Sequence, residues 1–514
     1  MAFSVQEMKV LRFIYIVLFL MTVFPARAFS APACDRLFEL RQPSGVSFEA
    51  RQFGDEWYNW VETKEGYGIY KNTETGNWEY YMPSADTNNK VQALSPGVPS
   101  RVIVGEINPA LLGIPKCLRP PRSSVIKPNS IDSYPGGPSQ KNLQLELKGT
   151  SVSGSKYVLI IGVDYADASA TYPAGQIQPR LFGASDSVSD YYNKVSYSSV
   201  TIIPATESHG TSNDGFIGWL RLPGNHPNTG SSIDERNQRI AKEAILAADP
   251  YINYASYDFN NNGFVESTEL SILIMVAGYE ASYSILSPSV WAHQWSMIGV
   301  GYPFVDGKTI RRYAQFGERH GNHLATFGVI AHELGHLMFS LPDLYDTDAS
   351  NGDSEGIGYF DLMGSGSWGA AFGADAGSSP TLLSAWSKEY LSWGTVSNLS
   401  INQFVSFPKA DGNSTSIFRI NTSDSNQYFL LENRQFTGYD TGFQRQTGLS
   451  GHGGLVIYHI DKLKTDLFGV NNVNADEDDK GVDVEEANEG SLGYSMLDTN
   501  SSRAHTNMFF FLGE

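Results

Sequence analysis

Cysteine is nearly missing from this 514-residue sequence, which has only Cys34 and Cys117. That excludes a disulfide-stapled scaffold, so stability must come from a packed core. Positive charge is also scarce: 36 Lys and Arg face 55 Asp and Glu, for a net charge of −19. A field of that sign repels phosphate backbones and anionic lipid, which argues against nucleic-acid binding and adsorption to membranes. Past Phe24, charges or glycines interrupt every apolar run before it reaches the ~20 residues that span a bilayer. No internal repeat with a period of ~20–50 residues is visible, so a solenoid is excluded as well. What the chain does have is 41% hydrophobic and 12% aromatic residues, with 50 glycines. This is enough apolar surface to fold, over a length that suits about three domains rich in strands and loops.

The first segment reads as an address. Lys9 and Arg12 precede an apolar run from Phe13 to Phe24, and Ala26-Arg27-Ala28 follows. A basic start, a dozen apolar residues and a small-x-small site describe a secretory signal peptide over residues 1–28. An extracellular protein with no stable membrane association after signal removal is expected. In oxidising surroundings a disulfide between Cys34 and Cys117 is the simpler expectation for the two thiols.

From Phe48 to Met82 aromatic residues crowd short alternating runs broken at Lys64-Glu65-Gly66 and Thr75-Gly76, a pattern of β-hairpins. Pro115 to Gln140 is then rich in Pro, Ser and Gly, which is linker composition. Tyr157–Val163 and Leu270–Val276 are continuous apolar runs that predict buried strands, while Ser187–Val195, Ile240–Ala248 and Thr326–Met338 predict helices. Beyond Trp393 short strands return at Gln427–Glu432 and Gly454–Ile460. The expected fold class is α+β, with a mixed centre and a β-rich tail. Signal peptide 1–28, an N-terminal region 29–120, a linker 121–150, a central domain 151–395 and a C-terminal domain 396–514 make up the expected organisation.

The residues with the clearest chemistry are His332-Glu333-Leu-Gly-His336 inside the third helix. Histidines at i and i+4 lie one turn apart on one helix face, so both imidazoles reach one metal ion. Zinc suits them, because it accepts nitrogen and oxygen ligands tetrahedrally and keeps a position for water. Glu333, one residue on, is placed to take the proton of that water as general base. The flanking residues Ile330, Ala331, Leu334 and Leu337 are uncharged, as a buried helix requires. A third ligand must come from outside the helix. Asp343, after Pro342 has turned the chain, is the first expectation, ahead of Glu355 and then Asp346. Met363 in Asp361-Leu-Met-Gly-Ser-Gly366 is expected as an apolar floor beneath the ion.

These motifs resemble the M6 family of secreted bacterial metallopeptidases, the immune inhibitor A-like proteases. The likeness rests on His332–His336, Leu341-Pro-Asp-Leu-Tyr-Asp346, Phe360-Asp-Leu-Met-Gly-Ser-Gly-Ser-Trp368, Ser384-Ala-Trp-Ser-Lys388, Tyr428–Arg434 and Gly454–Asp461. Phe53-Gly-Asp-Glu-Trp57 resembles the family's propeptide, and Ser189–Ser196 its catalytic-domain entry. The resemblance implies a zinc endopeptidase made as a zymogen, with a zincin or metzincin-like catalytic domain. It implies a β-rich propeptide before that domain and a β-rich, sandwich-like domain after it. It also makes Met363 a Met-turn residue. The metzincin spacing HExxHxxGxxH/D is broken here, since Phe339 stands where glycine is expected and Asp343 lies one residue too far along. Cys117, in Pro115-Lys-Cys117-Leu-Arg-Pro120, resembles the cysteine-switch segment of another zinc-protease family, whose thiolate would cap the metal. Rival readings are a silent surface-binding protein on the same fold and a zinc hydrolase of non-peptide bonds.

A second metal-like stretch runs from Asp258 to Glu269. Asp258, Asn260, Asn262, the Phe264 carbonyl and Glu269 follow the register of an EF-hand loop, with Gly263 at the sharp turn. Calcium of weak, extracellular-type affinity is therefore expected as a second cofactor beside zinc. The acidic run Asp476–Asp479 continuing to Glu485-Glu486 is expected as a solvated loop, and the apolar terminus Phe509-Phe-Phe-Leu512 either packs as a last strand or belongs to a longer chain. A monomer acting on protein or peptide substrates completes the reading.

Overall fold

The structure is a computed structural model that describes residues 29–85, 91–93, 102–120, 152–230, 232–348, 354–400, 402–448, 452–465, 471–492, 494–499 and 502–510. The signal-like segment 1–28 and the linker region 121–150 lie outside the described residues.

A nine-stranded mixed sheet organises the centre. Its main path runs Phe29–Ser30, His293–Ser296, Arg312–His320, Leu270–Glu280, Gly154–Asp164, Val200–Pro204. The last four strands are mutually parallel, whereas His293–Ser296 is antiparallel to Arg312–His320. The two continuous apolar runs are the middle strands of this sheet, and they are apolar on both faces because helices cover both. Val158, Ile160, Leu273 and Met275 point into one core with helices Ala174–Phe182, Val188–Val195 and Phe327–Phe339. Leu159, Ile161, Ile272, Ile274 and Val276 point into the other, against helix Glu235–Ala248. That helix begins five residues before the expected Ile240, because Asp234 and Asn237 form a reciprocal cap at its start.

The aromatic N-terminal region forms its own antiparallel meander, Phe38–Arg41, Ser47–Gly54, Asn59–Thr63, Gly68–Lys71 and Trp78–Tyr80. It has a separate core of Leu40, Ala50, Ile69, Trp78, Tyr80 and Tyr81. A third sheet, Val396–Asn398, Ile417–Asn421, Gln427–Arg434, Gly454–Asp461 and Val482–Glu485, closes the other end. Among the described residues it is one sheet and not a sandwich. Its apolar side, including Ile417, Leu430, Tyr458 and Val484, shares the core of the central helices. No helix among the described residues is long and apolar enough to cross a membrane.

Two expectations about loops are revised. Glu486 is buried and accepts hydrogen bonds from Ser495, Met496 and Leu497, so the acidic run ends inside the protein. Of the terminal aromatics, Phe509 packs on Phe360, Phe436 and Phe443, and Phe510 makes an isolated antiparallel bridge to Leu455.

Candidate metal centre

Every residue of the helix Phe327–Phe339 is buried, which is why its sequence carries no charge except where chemistry needs it. The helix ends at Phe339, three residues before Pro342. Ser340 adopts a left-handed conformation (φ 54°), and the amides of Ser340 and Leu341 bond back to the His336 and Gly335 carbonyls. The residue that lengthens the spacing to Asp343 is thus absorbed in the turn. Asp343 still returns to the helix face carrying the two histidines.

His332 Nε2 and His336 Nε2 lie 3.0 Å apart, and Asp343 Oδ1 is 3.2 Å from the first and 3.1 Å from the second. All three side chains are buried. Each imidazole has its other nitrogen committed: His332 Nδ1 donates to the Leu362 carbonyl (2.9 Å) and His336 Nδ1 to the Leu341 carbonyl (2.6 Å). In neutral rings this tautomer leaves Nε2 as an acceptor. Burial holds His336 below the usual histidine range. Three acceptor atoms therefore face one another, and Asp343 Oδ1 receives no hydrogen bond. Lone pairs converge this way only around a cation. A tetrahedron with bonds of ~2.0–2.1 Å has edges of ~3.3 Å, close to the distances seen, so the residues fit zinc. Among the described residues this is the one group of three His, Cys, Asp or Glu side chains arranged to hold a metal ion.

The other two ligand expectations do not join it. Glu355 pairs with Arg503 at 2.6 Å, and Asp346 accepts from the amides of Asp348 and Ser354. Asp343 is itself held from afar by Asn471, whose Nδ2 donates to Asp343 Oδ2 (2.6 Å) and whose Oδ1 accepts from the Asp343 amide (2.8 Å).

Met363 packs directly under the helix, where a Cβ added at Gly335 would come within 2.7 Å of its Sδ. This close approach explains the glycine between the two histidines. Asp361 fixes the turn by accepting from the amides of Met363 (2.7 Å) and Ser384 (2.8 Å) and from the Ser387 hydroxyl (2.6 Å). The turn in turn presents Leu362 to His332.

Glu333 is fully buried beside this cluster. Burial, with the Asp343 and Glu56 carboxylates near it, pushes Glu333 well above the usual carboxylate range. Its Oε2 receives no hydrogen bond, and its Oε1 accepts from the Ala31 amide at 2.9 Å. Residues 29–34 run extended across the site, and Phe29–Ser30 pair antiparallel with the edge strand His293–Ser296. The Ser30 carbonyl lies 3.1 Å from His332 Nε2 and accepts from the Tyr345 hydroxyl at 2.8 Å. The next three carbonyls accept from Trp291 (3.0 Å), Trp368 (2.7 Å) and Arg503 (3.0 Å). Neither this strand, nor Tyr345, nor Asn471 stood out in the sequence, although Tyr345 lies only two residues past Asp343.

The cysteine expectations are corrected. Cys34 and Cys117 are both free thiols, so no disulfide joins them. Cys34 is buried within the cleft-crossing segment, where burial pushes its thiol up to about 12. Cys117 sits on the rim of the N-terminal sheet, its amide bonded to Gly66, and is not part of the metal cluster.

The calcium-candidate residues form a turn braced by its own hydrogen bonds. Asp258 accepts from the amides of Asn262 and Gly263, Asn260 from Asn262, Asn262 from Phe264, and Glu269 from Asn260 and Glu266. Phe264 belongs to a short strand paired with Thr309, and Lys308 Nζ lies 2.5 Å from Asp258 Oδ2. These oxygens brace the backbone turn, and the lysine ammonium lies beside one of them.

Residues 182–397 match the immune inhibitor A peptidase M6 catalytic domain. Over 224 residues the chain is 31% identical to the pre-pro-metalloprotease PrtV of Vibrio cholerae serotype O1 strain M66-2. It is equally similar to the same protein of strain ATCC 39315 / El Tor Inaba N16961. The alignment covers 37% of this chain and 24% of the relative, so the chain spans about a quarter of the length of these relatives.

Proposed function

We propose that this chain, whose residues 182–397 match the catalytic domain of the immune inhibitor A peptidases of family M6, is a secreted zinc-dependent endopeptidase made as a zymogen. The observation that carries this reading is the convergence of three buried acceptor atoms beside a buried glutamate. His332, His336 and Asp343 would hold the ion, which when bound would polarise a peptide carbonyl and acidify water. Glu333 takes a proton from the attacking water and returns it to the leaving amine. Leu362, Leu341 and Asn471 fix the ligand orientations. Catalysis of this kind belongs to a zincin-like domain at 151–395.

Peptide is favoured over other hydrolysable substrates because the cleft already accommodates an extended main chain. An edge strand adds a strand to itself, and four donors satisfy successive carbonyls. The same occupancy supports latency, with residues 29–120 as propeptide, 121–150 as the activation region and 396–514 as a C-terminal domain. A signal peptide at 1–28 directs the chain out of the cell, where it acts as a monomer on protein substrates.

The test uses the full-length chain. It should contain one zinc per chain and degrade casein only after limited proteolysis, in a chelator-sensitive manner. Glu333→Gln should keep the zinc and lose about 10²–10⁴-fold in turnover. A wild-type chain without zinc, or a Glu333→Gln variant cleaving casein near the wild-type rate, would refute the proposal.

A further inference from the structure

The cleft-crossing segment does more than fill the site, because one of its peptide bonds lies in a particular orientation. The Ser30 carbonyl oxygen lies 3.1 Å from His332 Nε2, while the amide that follows, of Ala31, donates to Glu333 Oε1 at 2.9 Å. A peptide about to be hydrolysed needs this arrangement, with its carbonyl at the metal and its nitrogen at the group that will protonate it. The chain direction agrees, since the segment runs antiparallel to the edge strand with Ser30 opposite His293. On that same carbonyl oxygen the Tyr345 hydroxyl donates a hydrogen bond of 2.8 Å. Tyr345 is buried, and it follows the ligand Asp343 by two residues on a stretch tied to the Met363 turn through the Leu344 amide. Its hydroxyl is therefore held and not left to search for its partner.

The geometry points to Tyr345 as a further catalytic residue that stabilises the oxygen of the scissile carbonyl as it becomes negative. The inference rests on the peptidase reading above. In the reaction a water oxygen bonds to the carbonyl carbon, its proton passes to Glu333, and the carbonyl oxygen gains the charge of the opened double bond. Tyr345 keeps its proton throughout and donates only a hydrogen bond. The double bond then re-forms, the C–N bond breaks, and Glu333 delivers the proton to the departing amine. A donor fixed in a water-poor site is stronger toward the charged oxygen than toward the neutral one, so its effect falls on turnover.

Full-length chain, zinc-loaded and activated by limited proteolysis, provides the test. Tyr345→Phe should retain one zinc per chain, with kcat lowered about 10²–10³-fold and KM changed less than about threefold. Two ligands give a readout independent of turnover. A phosphinic pseudopeptide built on Phe-Ser-Ala-Pro-Ala, with the phosphinyl group replacing the Ser–Ala carbonyl, should lose affinity in proportion to kcat/KM. The reduced-amide analogue, which has no oxygen there, should bind the variant as it binds the wild type. Tyr345→His, which keeps a donor, should regain part of the lost phosphinate affinity. Equal loss for both ligands would mean a structural role only and overturn the inference, as would a Tyr345→Phe enzyme with wild-type kcat. If wild-type chain holds zinc and cleaves peptides while Tyr345→Phe does the same, only the tyrosine assignment falls. If wild-type chain cleaves nothing, the peptidase reading falls and takes this inference with it.

Discussion

Arg434 is the perturbation that most directly tests how the C-terminal sheet supports the metal centre. Its guanidinium is wholly buried and donates to Asp440 through Nε (2.5 Å) and Nη2 (2.6 Å), and through Nη1 to Glu432 (3.0 Å) and Tyr458 (3.2 Å). The same group reaches the Phe360 carbonyl (2.9 Å) and the Leu382 carbonyl (3.1 Å), on either side of the turn that carries Met363. Lys388 pairs with Glu432 at 2.9 Å, so two buried cations balance two buried carboxylates. Arg434→Met leaves one negative charge uncompensated, at about 3–5 kcal/mol. The two carbonyls left without a donor add ~1–2 kcal/mol, for a total of about 4–7 kcal/mol. With an unfolding entropy of ~2.1 cal/mol/K per residue over roughly 350 residues, the thermal midpoint should fall by about 6–10 °C. Adding Asp440→Asn removes the surplus charge, so the double variant should recover about 2–3 kcal/mol, even though Asp440→Asn alone also destabilises. Scanning calorimetry and zinc titration would measure both effects. A loss below about 1 kcal/mol for Arg434→Met, or an Asp440→Asn that deepens the loss, would refute the balance argued for this cluster.

Other expectations follow from single features. Asn471→Ala removes both bonds that aim Asp343, so zinc affinity measured by competition with a chelator should fall about 10–100-fold while the fold persists. His293, whose pKa burial depresses to about 4, resists protonation in the folded state, so its contribution is complete above pH 6.5 and lost as pH falls toward 4. Glu280, raised by burial to about 7, acts oppositely: its contribution is complete below pH 4.5 and lost as pH rises through 7. The two groups therefore act in opposite directions between pH 7 and 4.5, each by about 3 kcal/mol. Glu280→Gln should make the loss of stability on acidification steeper than in the wild type, visible in melting curves across that range. Millimolar calcium should leave the melting midpoint unchanged if Lys308 serves Asp258 as its cation, whereas Lys308→Met should gain a calcium-dependent rise.

Much of the site was legible because its parts are local. The four-residue spacing of His332 and His336 fixes a shared helix face, and the uncharged flanks announce burial of that helix. Asp343 was readable as the candidate ligand only with alternatives, because the sequence does not reveal that Ser340 absorbs the added residue in a left-handed turn. The apolar runs at 157–163 and 270–276 declared central strands, since only a sheet covered on both faces needs such runs. Contacts between distant parts of the chain left no such trace. Asn471 lies 128 residues from Asp343, and Ala31 lies 302 residues from Glu333. The strand Phe29–Ser30 joins its neighbour through backbone atoms that every residue possesses. In the Asp258 loop, oxygen side chains spaced for calcium also accept from the amides of their own turn.

If residues 29–120 are the proposed propeptide, the row of carbonyls from Ser30 to Ala33, each gripped by a different side chain, bears on how it would leave. A cut anywhere between 121 and 150 severs a tether but touches none of these bonds. Departure would then be governed by mass action, with the liberated fragment rebinding in concentrated solution and escaping on dilution. Nicking and onset of activity would be separate events, with a lag whose length depends on protein concentration or on destruction of the fragment.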